Sequence, residues 1–212
     1  MARVLQLLLT AAGGYALGSM PSADLAARVV TGGAVDLRRA GSGNPGGVNA
    51  RRLLGHRAGR TVIAADVAKG TAASWVGRRL AGDLGAHVGG VAAVAGHCYP
   101  PRSGFRGGKG VATSFGQCLY TFPAYAPIDF AIATAIARWP GLRRPALVSV
   151  SVSSGLWLVA SVVWWKRRLP NLWGPPPTAA LPLANAATVL IIATRAVALL
   201  ARREPEELAL PR

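Results

Sequence analysis

The stretch TVIAADVAKGTAASWVGRRL, Thr61–Leu80, decides the fold. It has the length of a bilayer-spanning helix, about 20 mostly apolar residues, yet Asp66 and Lys69 lie inside it and Arg78–Arg79 close it. Each charge in such a position costs about 2.5 to 3.5 kcal/mol by insertion scales, which marks both residues as functional suspects. Three apart on a helix, they share one side and can pair or share a ligand. The two readings are an ion pair locking two helices and a functional site, with Gly70 opening room beside the lysine. Small residues around them, here and in the other apolar runs, favour a compact bundle over independent anchors.

Outward from this segment, Val4–Ala26, Leu84–Tyr99, Val111–Ala137, Pro145–Trp165 and Thr178–Ala201 are further apolar runs of roughly spanning length, the second of these near the lower limit. Apolar residues make up 51% of the 212, and only 15% are charged, against about 25% in an average soluble protein. Mean hydropathy is +0.34. These values predict an all-α polytopic membrane helix bundle with five to seven transmembrane helices, a single integral-membrane domain over 1–203 and a polar tail over 204–212. Small residues recur in every run and permit close helix approach in lipid. The start, MARVLQLLLTAAGGYALGS, imitates a signal peptide. Apolar character resumes at Leu25–Val30, so the expectation is an uncleaved first membrane helix.

Basic residues outnumber acidic ones 24 to 8, and nearly all are Arg. Arg holds its proton and forks onto phosphate oxygens, which points to anionic lipid headgroups or phosphorylated substrates. Nucleic acid is not the expected partner, because the cations punctuate apolar runs and form no single stripe. The positive-inside rule puts Arg38–Arg60, Arg102–Lys109 and Lys166–Arg168 in the cytoplasm and leaves Arg78–Arg79 and Arg143–Arg144 opposite. Cys98 and Cys118 lack C-x-x-C spacing and read as free thiols, with neither a disulfide nor a metal site expected.

Three glycine-bearing basic segments interrupt the apolar pattern: GSGNPGGVNARR at Gly41–Arg52, DVAKG at Asp66–Gly70 and GHCYPPRSGFRGGKGVAT at Gly96–Thr113. Clustered Gly lets backbone N–H groups turn toward an anion while Arg and Lys supply charge, so phosphate is the expected guest. GSGNPG fits the dinucleotide pattern G-x-G-x-x-G, with Asp66 at a suitable distance, but no buried strand leads into it, since Ala34–Ala40 is short and charged. Its glycines turn the chain, and Ser42, Asn44, Asn49, Arg51 and Arg52 concentrate donors there. In FRGGKG, Phe105–Gly110, a Walker loop would need Gly at Ser103 and Ser or Thr at Gly110. The loop nonetheless joins Arg106 and Lys109 to Gly107 and Gly108, just before an expected helix starting at Val111, whose N-terminus favours phosphate. His97 precedes it, as a packing residue or a base. Zinc His–Glu helix motifs, a G-x-S-x-G elbow and a His with Asp five residues on are all absent from the sequence.

In order and spacing, GSGNPGGVNARRLLG, ADVAKG and GHCYPPRSGFRGGKGVAT resemble the three segments of the bacterial membrane acyl-phosphate:glycerol-3-phosphate acyltransferase family (PlsY), and Gly18–Pro21 (GSMP) resembles its first-helix motif. The resemblance covers roughly Gly18–Gly116. It implies a multi-pass enzyme of the bacterial inner membrane, its site facing the cytoplasm, that moves an acyl group from acyl phosphate to the 1-hydroxyl of glycerol 3-phosphate without metal or organic cofactor. The implied partners are these two substrates, membrane lipids and an enzyme supplying acyl phosphate. It also implies that Ser42, Asn44 and the Gly46–Gly47 backbone cradle the donor phosphate, that Arg52 and Lys109 grip phosphate groups, that Lys69 supplements them, and that His97 shapes the pocket. The candidate catalytic residues are His97, Lys109 and Ser42. Substrate-binding candidates are Ser42, Asn44, Gly46, Gly47, Asn49, Arg52, Asp66, Lys69, Arg106, Gly107, Gly108 and Lys109.

The chain departs from that family at three places. Gly46-Gly47-Val48-Asn49 stands for Gly-Ala-Thr-Asn, Arg138-Trp139-Pro140 replaces a polar Thr-Arg-Tyr-x-Ser stretch, and Thr194-Arg195-Ala196-Val197 lacks the His and Asn of a His-Arg-x-Asn segment. These residues belong to the acceptor side, which leaves a paralogue with another acceptor, or one that only binds lipid phosphate, as the alternative. An acceptor site survives if Ser149, Ser151 or Asn185 folds back toward Lys109.

Overall fold

The stretch that decides the fold forms most of the first arm of the longest helix. In the computed structural model, which describes residues 1–208, the elements are α1 (Ala2–Gly18), α2 (Ser22–Thr31), α3 (Gly47–Leu54), α4 (His56–Cys98), a 3₁₀ turn (Pro101–Ser103), α5 (Val111–Thr121), α6 (Ala126–Ala137), α7 (Pro145–Arg167) and α8 (Ala180–Leu208). No strand occurs among the described residues, as the dismissal of the dinucleotide pattern requires. The last helix runs past residue 203 to Leu208, and 209–212 of the expected tail lie outside the described residues.

α4 reverses direction at Ala81 (φ −136°, ψ 22°) and Gly82 (φ 67°, ψ −157°). Only glycine adopts the latter conformation readily. The two arms then pack antiparallel with backbones nearly touching: a Cβ on Gly77 would strike the Gly85 carbonyl, and one on Gly89 the Ala73 carbonyl. α1 lies along the second arm through Gly14 on Gly89 and Gly18 on Ala93, while α5 crosses the first arm through Gly70 on the Thr113 carbonyl and Gly116 on Val67. Small residues thus serve helix approach, as expected in lipid. Gly70 in particular makes room for α5 and not for a ligand beside Lys69.

Prolines divide two of the expected spans. Val4–Ala26 ends as α1 at Gly18 because Pro21 supplies no N–H and disfavours helix at Met20. Val111–Ala137 splits into α5 and α6 around Pro123. Two of the described helices, Pro145–Arg167 and Ala180–Ala201 of α8, are long and apolar enough by themselves to cross a membrane.

The bundle has two unlike ends. One gathers the C-terminus of α1, α2, α3, loop 99–110 and the later turns of α8. The other gathers the α4 turn, residues 122–125 and loop 168–179, joined by hydrogen bonds from Arg78 to the Trp173 carbonyl (3.0 Å) and from Asn171 to the Thr121 carbonyl (3.0 Å). Lys166–Arg168 belongs to this second end, since Trp164 packs on Phe122 at 5.4 Å between ring centroids. Its expected grouping with the glycine-rich loops is therefore corrected. α7 starts at the loop end, where its early residue Val150 packs with Val94, Cys98 and Ile192, so Arg143–Arg144 lies with the loops. Both cysteines are free and buried.

Candidate active site

The break that Pro21 imposes between α1 and α2 is stitched to α4 by charge. Lys69 donates through Nζ to the Met20 carbonyl (2.6 Å) and to Asp66 Oδ1 (2.9 Å), and Ser22 Oγ donates to the same carboxylate oxygen (2.6 Å). His97 Nδ1 lies 3.5 Å from it. Asp66, Lys69 and His97 are all buried. The GSMP and DVAKG segments are thereby one constellation: the aspartate neutralises the lysine, fixes the histidine ring and anchors the start of α2.

His97 also braces the third segment. Gly107 N–H donates to the Cys98 carbonyl (3.0 Å) and Gly108 N–H to the His97 carbonyl (3.1 Å). A Cβ on Gly108 would collide with His97 Nε2, and one on Gly107 with the His97 carbonyl. These two glycines therefore give close passage over the histidine, and their N–H groups are already engaged. Lys109 is exposed beside them, and α5 begins at Val111 after Gly110 (φ 83°), its first N–H groups lacking intrahelical acceptors.

In the first segment Asn49 is a staple. Its Nδ2 donates to the carbonyls of Leu37 and Ala40 (3.0 Å each), and its Oδ1 accepts the Ser42 N–H (3.0 Å). Buried Asn44 has its Oδ1 without a partner among the described residues. Gly46 caps α3, and Gly47 packs on Ile63 of α4. Arg52 is exposed on α3, and Arg106 is exposed on its loop.

A cleft of ≈ 230 Å³ opens between these parts, its wall including Ser22, Arg38, Pro45, Lys69, His97, Arg102, Gly107 and Gly108. The structure thus brings Lys69, His97, Gly107 and Gly108 together, with Asp66 directly behind them and the first segment represented by Pro45. Ser42, Asn44, Gly46, Gly47, Asn49, Arg52, Arg106 and Lys109 surround this cleft in sequence without lining it. Ser149 turns away to the Ala133 carbonyl (2.7 Å), Ser151 is exposed and Asn185 is fully buried in the bundle.

Residues 8–204 match the family described as glycerol-3-phosphate acyltransferase. The chain belongs to that family. Among relatives, the glycerol-3-phosphate acyltransferase of Bacillus cytotoxicus is 44% identical over 151 residues, 70% of this chain and 73% of the relative. That of Bacillus velezensis is 43% identical over 122 residues, 58% of this chain and 60% of the relative. A crystal structure of PlsY (YgiH), an integral membrane glycerol 3-phosphate acyltransferase, in its glycerol 3-phosphate form, aligns with TM-score 0.72 and 26% identity, covering 94% of this chain and 92% of that one.

Within this acyltransferase family member, two arginines outside the sequence-derived site hold the third segment. Buried Arg195 of α8 donates through Nη2 to the Gly107 carbonyl (2.7 Å), and Arg38 donates through Nε to the Arg106 carbonyl (2.9 Å) while pairing with Asp24 of α2. Successive carbonyls of the loop are thus each held by an arginine. Arg195 had the same signal that singled out Asp66 and Lys69, a charge inside an apolar helix. Arg38 gave none, sitting in a short charged stretch.

Proposed function

We propose that the protein transfers a fatty acyl group from acyl phosphate to the 1-hydroxyl of glycerol 3-phosphate at the cytoplasmic face of a bacterial inner membrane. Its family makes it a membrane acyltransferase of phospholipid synthesis acting on glycerol 3-phosphate. The observation that carries the finer reading is the cationic cleft at one end of the bundle, where Lys69 and His97 meet the Gly107–Gly108 backbone beside the start of α5. Acyl phosphate is a mixed anhydride, so no enzyme nucleophile need intervene. The acceptor oxygen attacks the acyl carbon and forms the ester bond, the acyl C–O bond to the phosphoryl group breaks, and phosphate leaves with the hydroxyl proton. Positioning and electrostatic support of that phosphate then suffice.

In this scheme Lys109 and the α5 N-terminus hold the departing phosphate, aided by Ser42, Asn44, Gly46 and Gly47. Arg52 and Arg106 attract phosphate groups at the rim, and Lys69 supplements them. His97 shapes the pocket, Asp66 fixes His97 and Lys69, and Asn49 keeps the Ser42 loop in place. The cytoplasmic assignment is supported by Arg51, Arg52, Arg57, Arg60, Arg102, Arg106, Arg143 and Arg144 at the loop end, against Arg78, Arg79 and Lys166–Arg168 at the other.

An alternative, a paralogue with another acceptor or without turnover, draws on Thr194. It stands where the family pattern has His and hydrogen-bonds Tyr99 Oη at 2.9 Å. Purified protein in lipid, given palmitoyl phosphate and glycerol 3-phosphate, is expected to release phosphate and lysophosphatidic acid, with Lys109→Ala and Arg52→Ala impaired. No release where an authentic homologue works would favour the alternative. Release unaffected by either substitution would remove those two residues from the site.

A further inference from the structure

Away from the cleft, the bundle interior holds a layer of polar side chains that the proposed reaction does not use. Ser74, Gln117, Asn185 and Thr188 are fully buried and His87 is 3% exposed. They come from both arms of α4, from α5 and from α8. Thr188 Oγ1 donates to Gln117 Oε1 at 2.9 Å. A Cβ at Gly90 would strike both Ser74 Oγ and the Gln117 side chain, which places those two together against the second arm.

α8 runs parallel to that arm: Leu181 packs near Phe122 at one end, and Ile192 packs on Val94 and Cys98 toward the other. Counting back from Ile192 sets Thr188 level with Gly90 and Asn185, one turn earlier, level with His87. Yet Ser74 Oγ, His87 Nδ1, Gln117 Nε2 and both amide atoms of Asn185 have no hydrogen-bond partner among the described residues. Buried polar groups without partners are costly, and more so inside a membrane, where bulk water cannot relieve them. Several donors and acceptors within one helical turn of each other are the setting in which buried water is held with two to four partners.

We infer that this layer is a binding site for ordered water, bound between Ser74, Gln117 and Asn185 and reaching His87. The water fastens α8 to the α4–α5 core at mid-bundle. It thereby sets the axial position of the helix that carries Arg195 to the Gly107 carbonyl.

Microsecond X-ray hydroxyl-radical labelling of the full chain in lipid nanodiscs tests this, because radicals form at bound water and mark the nearest side chain. His87 is expected to label several-fold more than Phe122, an equally reactive side chain that is fully buried in an apolar cluster. Asn185→Leu is expected to cut His87 labelling several-fold and leave exposed Trp139 unchanged. Labelling of His87 no higher than that of Phe122 would mean a dry layer and overturn the inference. So would labelling indifferent to Asn185→Leu. If that variant does not fold, Gln117→Leu takes its place, and the wild-type contrast stands by itself.

Discussion

The two ends of the bundle are held by different physics. At the loop end, Asp66, Lys69, Ser22, Arg38 and Arg195 fasten broken backbone through its carbonyls and one carboxylate. At the far end, Phe122, Tyr125 and Trp157 bury large rings with Cys118 and Leu181, and Trp164 packs against them. Ring packing tolerates exchange of one apolar residue for another of similar volume. A charge-fastened loop does not, because each partner left alone is an unpaired buried group. The contrast explains why the polar segments of the first half are recognisable in the sequence while the second half reads only as apolar helix.

Substitutions can break that contrast in graded steps. The largest effect lies between the two ends, where backbones touch: Gly70→Leu drives a side chain into the Thr113 carbonyl, and size-exclusion chromatography is expected to recover no monodisperse protein. Next, Asp66→Ala leaves Lys69 buried without its counter-charge and should cost about 3–5 kcal/mol, read as a lowered Tm with loss of phosphate release. Asp66→Asn with Lys69→Met should restore part of the Tm but not the activity, separating fastening from chemistry. Phe122→Ala should cost about 3 kcal/mol, the lower end for emptying a large-ring site, with activity per folded molecule kept. If it lost activity as fully as Asp66→Ala, the division between the ends would fail. Arg195→Ala removes a charge-assisted hydrogen bond of about 1.5–3 kcal/mol and should lower kcat/KM about 10- to 100-fold, with Arg195→Lys intermediate. The smallest is Lys166→Ala at the far end. It should change stability by no more than about 0.5 kcal/mol, read from the Tm, and leave kinetics untouched.

Much of this was legible in residue order. Small residues in every apolar run favoured a bundle, and the α4 turn falls in the gap between the two runs Thr61–Leu80 and Leu84–Tyr99. The helix boundary at Val111 follows the glycines as expected. Pro21 and Pro123 were equally visible as breaks, but hydropathy alone runs across them. What glycine does was not legible: Gly107 and Gly108 look like a phosphate cradle, yet their N–H groups close on His97 and Cys98, and only three-dimensional contact tells passage from donation. Nor could sequence tell that Asn49 staples its own loop, since one amide type serves a ligand or a carbonyl equally well. Asn185, named only as a residue that would preserve an acceptor site if it folded back toward Lys109, is instead fully buried in the bundle.

Gly82 has a consequence for how two buried charges are carried into lipid. A reversal that tight makes the two arms of α4 a single helical hairpin, a unit short enough to enter a bilayer together. Asp66 and Lys69, one turn apart on the first arm, pair within that arm alone. Such a hairpin would present the bilayer with a dipole in place of two ions, and the same lysine also fastens the Met20 carbonyl.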